Sequence, residues 1–156
     1  MATLHLMIGL PCSGKTTRAK ELAEIHHALR LTPDEWHLRL FGDDLGCAMH
    51  DTYHNRIEEV MWGLAARVLT LGRDVILDFG CWAKEERDAF RKKAQAIGAD
   101  FQLHYMNVPY EELFLRLKAR NAAAKEDVFT IPQKEMKRYV AIFQPPDAEE
   151  LCQKEI

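Results

Sequence analysis

Four short apolar runs alternate with longer stretches whose apolar residues recur at helical spacing. Leu4-His5-Leu6-Met7-Ile8 predicts a first strand over 3–8, followed by a helix over 15–28. Ala28 to Thr32 predicts a short second strand, which Pro33 ends. Thr32 then reads as the N-cap of a helix with Pro33 at its first position and Glu35 completing a capping box. That leaves the Asp34 side chain free to face the strand's carboxyl edge. Gly42 stops this helix. A long helix follows over 51–71, with Ile57, Val60, Met61, Leu64, Val68 and Leu71 as its apolar face. Asp74-Val75-Ile76-Leu77-Asp78 is a third strand, apolar until its last residue, and 84–97 a helix closed by Gly98. Residues 101–108 form a fourth strand. Pro109 opens a helix to about Asn121, and a last helix runs from Pro132 to about Phe143. Between those two, residues 121–127 break the apolar pattern and read as part of a mobile lid over roughly 120–132. The acidic tail, 147–156, reads as loose. Continuous apolar strands alternating with helices imply one α/β domain over 1–156, with a short, mainly parallel sheet covered on both faces.

In such a sheet, ligands sit beyond the carboxyl ends of the strands. Between the first strand and its helix lies Gly9-Leu10-Pro11-Cys12-Ser13-Gly14-Lys15-Thr16-Thr17, which matches G-x-x-x-x-G-K-[ST] at every fixed position. Backbone N–H groups of such a loop wrap a phosphate, and the helix N-terminus adds partial positive charge. The expected nucleotide-binding residues are Gly9, Pro11, Cys12, Ser13, Gly14, Lys15, Thr16 and Thr17. Lys15 reaches the β- and γ-phosphates, and the Thr16 hydroxyl is a Mg²⁺ ligand. The fold class expected is therefore the P-loop NTPase three-layer α/β sandwich.

Asp78 closes an apolar strand, the Walker-B arrangement in which a carboxylate helps to hold Mg²⁺. Asp78-Phe79-Gly80 also spells the protein-kinase magnesium motif, but the H-R-D loop is missing and the glycine loop is of the other kind. Phe79 follows Asp78 where a motor ATPase would carry a water-activating glutamate. No N-K-x-D motif for reading guanine occurs. A bound hydroxyl then replaces water as the nucleophile, and its proton needs an acceptor; Asp34, at the end of the second strand, is the candidate general base. Arg116 and Arg120 share one helix face just before the mobile segment, where a guanidinium would neutralise charge on a transferred phosphoryl group.

Composition narrows this further. A net charge of −3 supplies no general pull toward nucleic acid, so a polynucleotide partner is not expected. No apolar run reaches transmembrane length, and the first strand is not preceded by a signal pattern, so no membrane partner and a cytoplasmic location are expected. Cys12, Cys47, Cys81 and Cys152 form no C-x-x-C pair, as in a reducing compartment. His50 and His54 are four residues apart but lack the glutamate of H-E-x-x-H and any obvious third ligand, so no metal is expected there. His5 and His104, on strands, read as satisfied core or edge residues.

The ordered set Gly9–Thr17, Asp34, Asp78, Arg87 and Arg116/Arg120 resembles the small P-loop kinases: bacteriophage polynucleotide 5′-kinase, chloramphenicol phosphotransferase, the zeta-toxin kinases and their AAA_33 relatives. Val75 to Arg87, Val108-Pro109 through Arg120-Asn121, and Phe143-Gln144-Pro145-Pro146 carry the resemblance over nearly the whole chain. It implies ATP and Mg²⁺ as cofactors, Lys15 and Asp34 as catalytic residues, and Arg116 or Arg120 as a lid arginine, with Arg120 near the nucleotide. It also places Arg87 near substrate, although an ion pair with Glu85, Glu86 or a neighbouring helix is an equal reading. Arg39, His37 and Trp82 are further candidates for the acceptor pocket, with Trp36 and Tyr53 beside them. The implied acceptor is a hydroxyl of a metabolite or an antibiotic. Two alternatives stay open: a 5′-hydroxyl polynucleotide kinase, and a nucleotide-dependent switch that binds a protein.

Overall fold

The computed structural model describes residues 1–152. Its centre is a parallel sheet of β1 (Thr3–Ile8), β2 (Leu29–Leu31), β3 (Val75–Gly80) and β4 (Asp100–Tyr105), in the order β2-β3-β1-β4. Around it lie α1 (Lys15–His26), α2 (Pro33–Phe41), α3 (His50–Thr70), α4 (Lys84–Ala96), α5 (Tyr110–Ala123), α6 (Gln133–Ile142) and α7 (Ala148–Cys152).

Alternation along the strands sends residues to two cores. Leu4 and Leu6 of β1 and Val75 and Leu77 of β3 meet Ile57, Met61, Ala65 and Leu69 of α3 on one face. Met7 and Ile76 meet Ala19 and Leu22 of α1 on the other. A third cluster joins Ile8 and Leu10 to Leu113 and Leu117 of α5 and Met136 and Tyr139 of α6. Each fully buried side chain of this size contributes about 1.5–3 kcal/mol.

The buried stripe of α3 differs from the expected face. Ile57, Met61, Ala65 and Leu69 stack at every fourth residue, whereas Val60, Leu64 and Leu71 are exposed. Small Ala65 permits close approach to the sheet, and apolar periodicity alone undervalued it. The capping box at α2 does not form either. Thr32 is the N-cap and Pro33 the first helical residue, as expected, but the Thr32 side chain makes no cap hydrogen bond. It donates to Asp78 instead, and Glu35 takes a two-pronged contact from Arg30 at 3.0 Å on each prong.

The acidic tail is also more ordered than its composition suggests. Residues 148–152 form α7, and Glu150 is buried against Arg87; the remainder of the expected loose tail, 153–156, lies outside the described residues. Among the described residues, no helix is long and apolar enough to cross a membrane.

Register positions the site. Leu31 pairs with Leu77 and Ile8 with Gly80, so β1, β2 and β3 end at one edge. The next residues, Thr32 and Asp78, are thereby brought side by side.

Candidate functional site

A cleft of about 1140 Å³ opens along that edge, lined by the loop from Pro11 to Thr17, by Asp34 and Asp78, and by Arg116 and Arg120. At Gly9, φ is +153° and an added Cβ would lie 2.6 Å from Ser13 Oγ and 3.2 Å from the Met106 carbonyl, so a side chain there must displace the loop. Gly14, in the left-handed region at φ +90°, turns the chain into α1 without a capping side chain, leaving the helix's first N–H groups directed at the cleft. Lys15 Nζ donates to the Leu10 carbonyl at 2.9 Å. Burial lowers the Lys15 pKa, opposed by the charges of Asp78 and Asp34. All three groups thus share one electrostatic environment.

Thr16 Oγ1 donates to Asp78 Oδ2 at 2.6 Å, and Thr32 Oγ1 donates to the same oxygen at 3.1 Å. Asp78 is 6% exposed, and its Oδ1 is buried without a protein partner. Burial raises its pKa, against the Lys15 charge and the two hydroxyl bonds. A hydroxyl and a carboxylate with a spare buried oxygen are hard donors that fit Mg²⁺.

Asp34 stands at the second position of α2, with its side chain 57% exposed toward the cleft. His54 Nε2 lies 3.8 Å from Asp34 Oδ1 and 3.6 Å from Glu58 Oε1. Burial, with the nearby charges of Glu86 and Asp34, pushes the Glu58 pKa up to about 8.

The two arginines are held differently. Arg116 pairs with Glu112 at 2.8 Å and reaches the Cys12 carbonyl at 3.3 Å. Arg120 Nη2 donates to the Phe129 carbonyl at 2.8 Å, its Nη1 lies 3.7 Å from Cys12 Sγ, and its Nε is buried without a partner. The segment expected as a lid is tied at both ends. Helix α5 continues through Ala123; Asn121 Nδ2 donates to the Ile131 carbonyl at 2.8 Å; Phe129 and Ile131 are buried. The exposed stretch is 122–127.

Of the acceptor-pocket candidates, Trp82 lines the cleft. Its ring packs on Tyr139 at 4.7 Å between centroids, and Nε1 donates to the Gly9 carbonyl at 3.2 Å. Arg87 does not reach the cleft. It is fully buried, chelates Glu150 through Nε at 2.7 Å and Nη2 at 3.1 Å, and donates from Nη1 to the carbonyls of Cys81, Trp82 and Gln144. The ion-pair reading of Arg87 therefore describes it, with Glu150 of the neighbouring helix α7 as partner and not Glu85 or Glu86. Arg39 is exposed on α2 outside the cleft, and His37 is buried and does not line it. Tyr53 stacks on Phe41 at 4.3 Å, and Trp36 lies outside the lining. Thr32, Glu58, Phe129 and Tyr139 join the cleft without a motif of their own. For Thr32, its place at the carboxyl end of the expected second strand was the available signal.

Residues 4–146 match the AAA_33 family, described as an AAA domain. No curated protein matches the sequence. The fold is similar to a chain of the Pnkp1/Rnl/Hen1 RNA repair complex, with a TM-score of 0.72 and 22% identity over 90% of this chain and 43% of that one. The present chain thus spans less than half the length of that relative. Chaetomium thermophilum Kti12 in complex with ADP-AlF3 is similar at a TM-score of 0.70 and 17% identity, over 94% and 82% of the two chains. A gluconokinase from Sinorhizobium meliloti 1021 is similar at 0.63 and 14%, over 95% and 77%. At these identities the likeness is one of fold.

Proposed function

Because the chain belongs to the AAA_33 family of AAA domains, we propose that it is an ATP- and Mg²⁺-dependent kinase that phosphorylates a hydroxyl of a small molecule. The observation that carries this reading is the placement of the exposed Asp34 carboxylate in the same cleft as Lys15 and Asp78, at the end of the neighbouring strand. The loop N–H groups and Lys15 bind the ATP phosphates, and Thr16 and Asp78 hold the cation. Mg²⁺ supplies charge neutralisation at the β- and γ-phosphates. Asp34 takes the proton of the acceptor hydroxyl as its oxygen bonds to the γ-phosphorus. The bond from that phosphorus to the β–γ bridging oxygen breaks, and ADP leaves. Arg120, with Arg116 beside it, faces the charge that develops on the transferred group.

Asp34 and Glu86 line the cleft with Glu58, which its raised pKa keeps largely neutral, and with Lys93, so the lining is mixed and presents no continuous basic track for the phosphates of a polynucleotide. A small hydroxyl compound fits this mixed lining better. The test offers γ-labelled ATP with metabolites, antibiotics and a 5′-hydroxyl oligonucleotide. Label is expected on a small molecule, and Asp34→Asn should keep nucleotide binding while losing about 10²–10⁴-fold in transfer. Full transfer by Asp34→Asn would remove the base assignment, label on the oligonucleotide alone would favour a polynucleotide kinase, and nucleotide binding without label on any acceptor would favour a switch.

A further inference from the structure

The folded chain supplies what the spacing of His50 and His54 lacked. Helix α2 brings His37 against them, and the connection between α2 and α3 brings Asp44. One ring nitrogen from each histidine lies within 4.8 Å of the others. His37 is fully buried, and His50 and His54 are 12% and 22% exposed. One ring nitrogen of each histidine faces a carboxylate. His37 Nε2 and His50 Nδ1 lie 2.7 and 2.6 Å from Asp44 Oδ1, and His54 Nε2 faces Asp34 and Glu58. The inner nitrogens of His37 and His54, both Nδ1, stand 3.3 Å apart.

We propose that His37, His50 and His54 form a binding site for one borderline divalent cation, Zn²⁺ foremost, with Asp44 as the carboxylate that orients two of the three imidazoles.

The tautomers follow from Asp44. Its Oδ1 lies 2.7 Å from His37 Nε2 and 2.6 Å from His50 Nδ1, and a carboxylate only accepts, so both rings donate N–H to it. In neutral His37 that leaves a lone pair on Nδ1, aimed at His54. Without metal, the His54 proton on Nδ1 bridges the pair. With metal, the proton sits on Nε2, directed at Asp34 and Glu58, and both Nδ1 lone pairs are ligands. Zn–N bonds of about 2.0–2.1 Å at a tetrahedral angle place two ligand nitrogens about 3.3–3.4 Å apart, which matches the observed pair. An N–H donated by each ligating imidazole to a carboxylate is the usual outer arrangement of such sites. Imidazole suits Zn²⁺, Ni²⁺ or Cu²⁺, whereas Mg²⁺ prefers the oxygens of Thr16 and Asp78.

The site would staple α2, the following loop and α3. Phe129 packs edge-on against His37 and His50 at 5.4 and 5.3 Å, joining the staple to the segment that Arg120 holds. A fixed His54 would also restrain Asp34.

His5, His26 and Asp74 are a second cluster of compatible donors, so the experiment separates the two. Untagged full-length protein is stripped with chelator, then titrated with Zn²⁺ against a chromophoric competitor and with Co²⁺ by visible absorption. One equivalent is expected, with a tetrahedral Co²⁺ spectrum. His54→Gln and His50→Gln should each weaken binding at least tenfold, Asp44→Asn about 10–100-fold, and His26→Gln not at all. Zn²⁺ should raise the melting temperature of the native chain and leave that of His54→Gln unchanged. Circular dichroism and nucleotide binding verify folding of each variant, and the Co²⁺ spectrum of the native chain stands if one fails to fold. Absence of a bound equivalent, or binding lost with His26→Gln and retained with His54→Gln, overturns the proposal. Neither result touches the kinase reading, since no phosphoryl transfer is measured.

Discussion

Arg87 and Glu150, 63 residues apart, form a two-pronged ion pair in which neither side chain is more than 3% exposed. Arg87 lies in the first turn of α4, and Glu150 lies on α7, so the pair fastens the chain's last described helix to the start of α4. The other guanidinium nitrogen holds the Trp82 carbonyl, and Trp82 in turn bonds the Gly9 carbonyl at the start of the phosphate loop. Of the two readings of Arg87, substrate contact and an ion pair, the second holds, and the arginine braces the residue that braces the loop.

Removing one partner leaves a buried charge without compensation. Glu150→Ala should therefore cost about 3–5 kcal/mol in urea unfolding. A double replacement by apolar residues of similar volume at 87 and 150 should recover only part of that loss, because the Cys81, Trp82 and Gln144 carbonyls then lack the Arg87 donor. A cost below about 1 kcal/mol for Glu150→Ala would mean that α7 is not integral to the domain.

Glu58 makes stability depend on pH. Its pKa rises from 4.5 in the unfolded chain to about 8 in the folded one. The folded state therefore retains a proton that the unfolded state releases across that window. This contribution is full below 4.5 and is lost as pH rises through about 8. Glu58→Gln should shift the urea midpoint little at about pH 5 and upward at about pH 8.5, by a few kcal/mol at most. An equal shift at both pH values would contradict the raised pKa.

Asp78→Asn separates cation holding from nucleotide holding. The loop N–H groups and Lys15 do not depend on Asp78 for phosphate contact, so ATP affinity without Mg²⁺ should stay within about threefold of native. The gain in affinity on adding Mg²⁺ should disappear, and phosphoryl transfer should fall about 10²-fold or more. Calorimetric titration with and without Mg²⁺ reads the difference. An undiminished Mg²⁺ effect would place the cation elsewhere.

The two arginines on α5 should not be equivalent. Arg120 has a buried unpartnered Nε and a bond to the Phe129 carbonyl, whereas Arg116 is 45% exposed and paired with Glu112. Arg120→Met should lower kcat about 10²–10³-fold, and Arg116→Met less than tenfold. Steady-state kinetics giving the reverse order would make Arg116 the working arginine.

Much of this architecture was legible before folding. The phosphate loop is contiguous, and its function resides in its own backbone, so Gly9 to Thr17 identify it without reference to anything distant. The shared edge of Asp78 and Asp34 was readable for a similar reason, since a parallel α/β sheet delivers its strand ends to one side whatever its order, although β3 runs two residues past Asp78, to Gly80, and Asp34 lies in the first turn of α2. The misjudged features all depend on partners far along the chain. Thr32 abandons its cap because register sets it beside Asp78. Arg87 is withdrawn from the cleft because Glu150 returns to it. His37 reads as one helical residue until α2 packs on α3 and places it 3.3 Å from His54. Local order follows from short-range sterics and hydrogen bonding, which the sequence itself encodes. The partner of a buried charge or an imidazole lone pair is chosen by packing and register between distant segments, and that choice belongs to the tertiary structure.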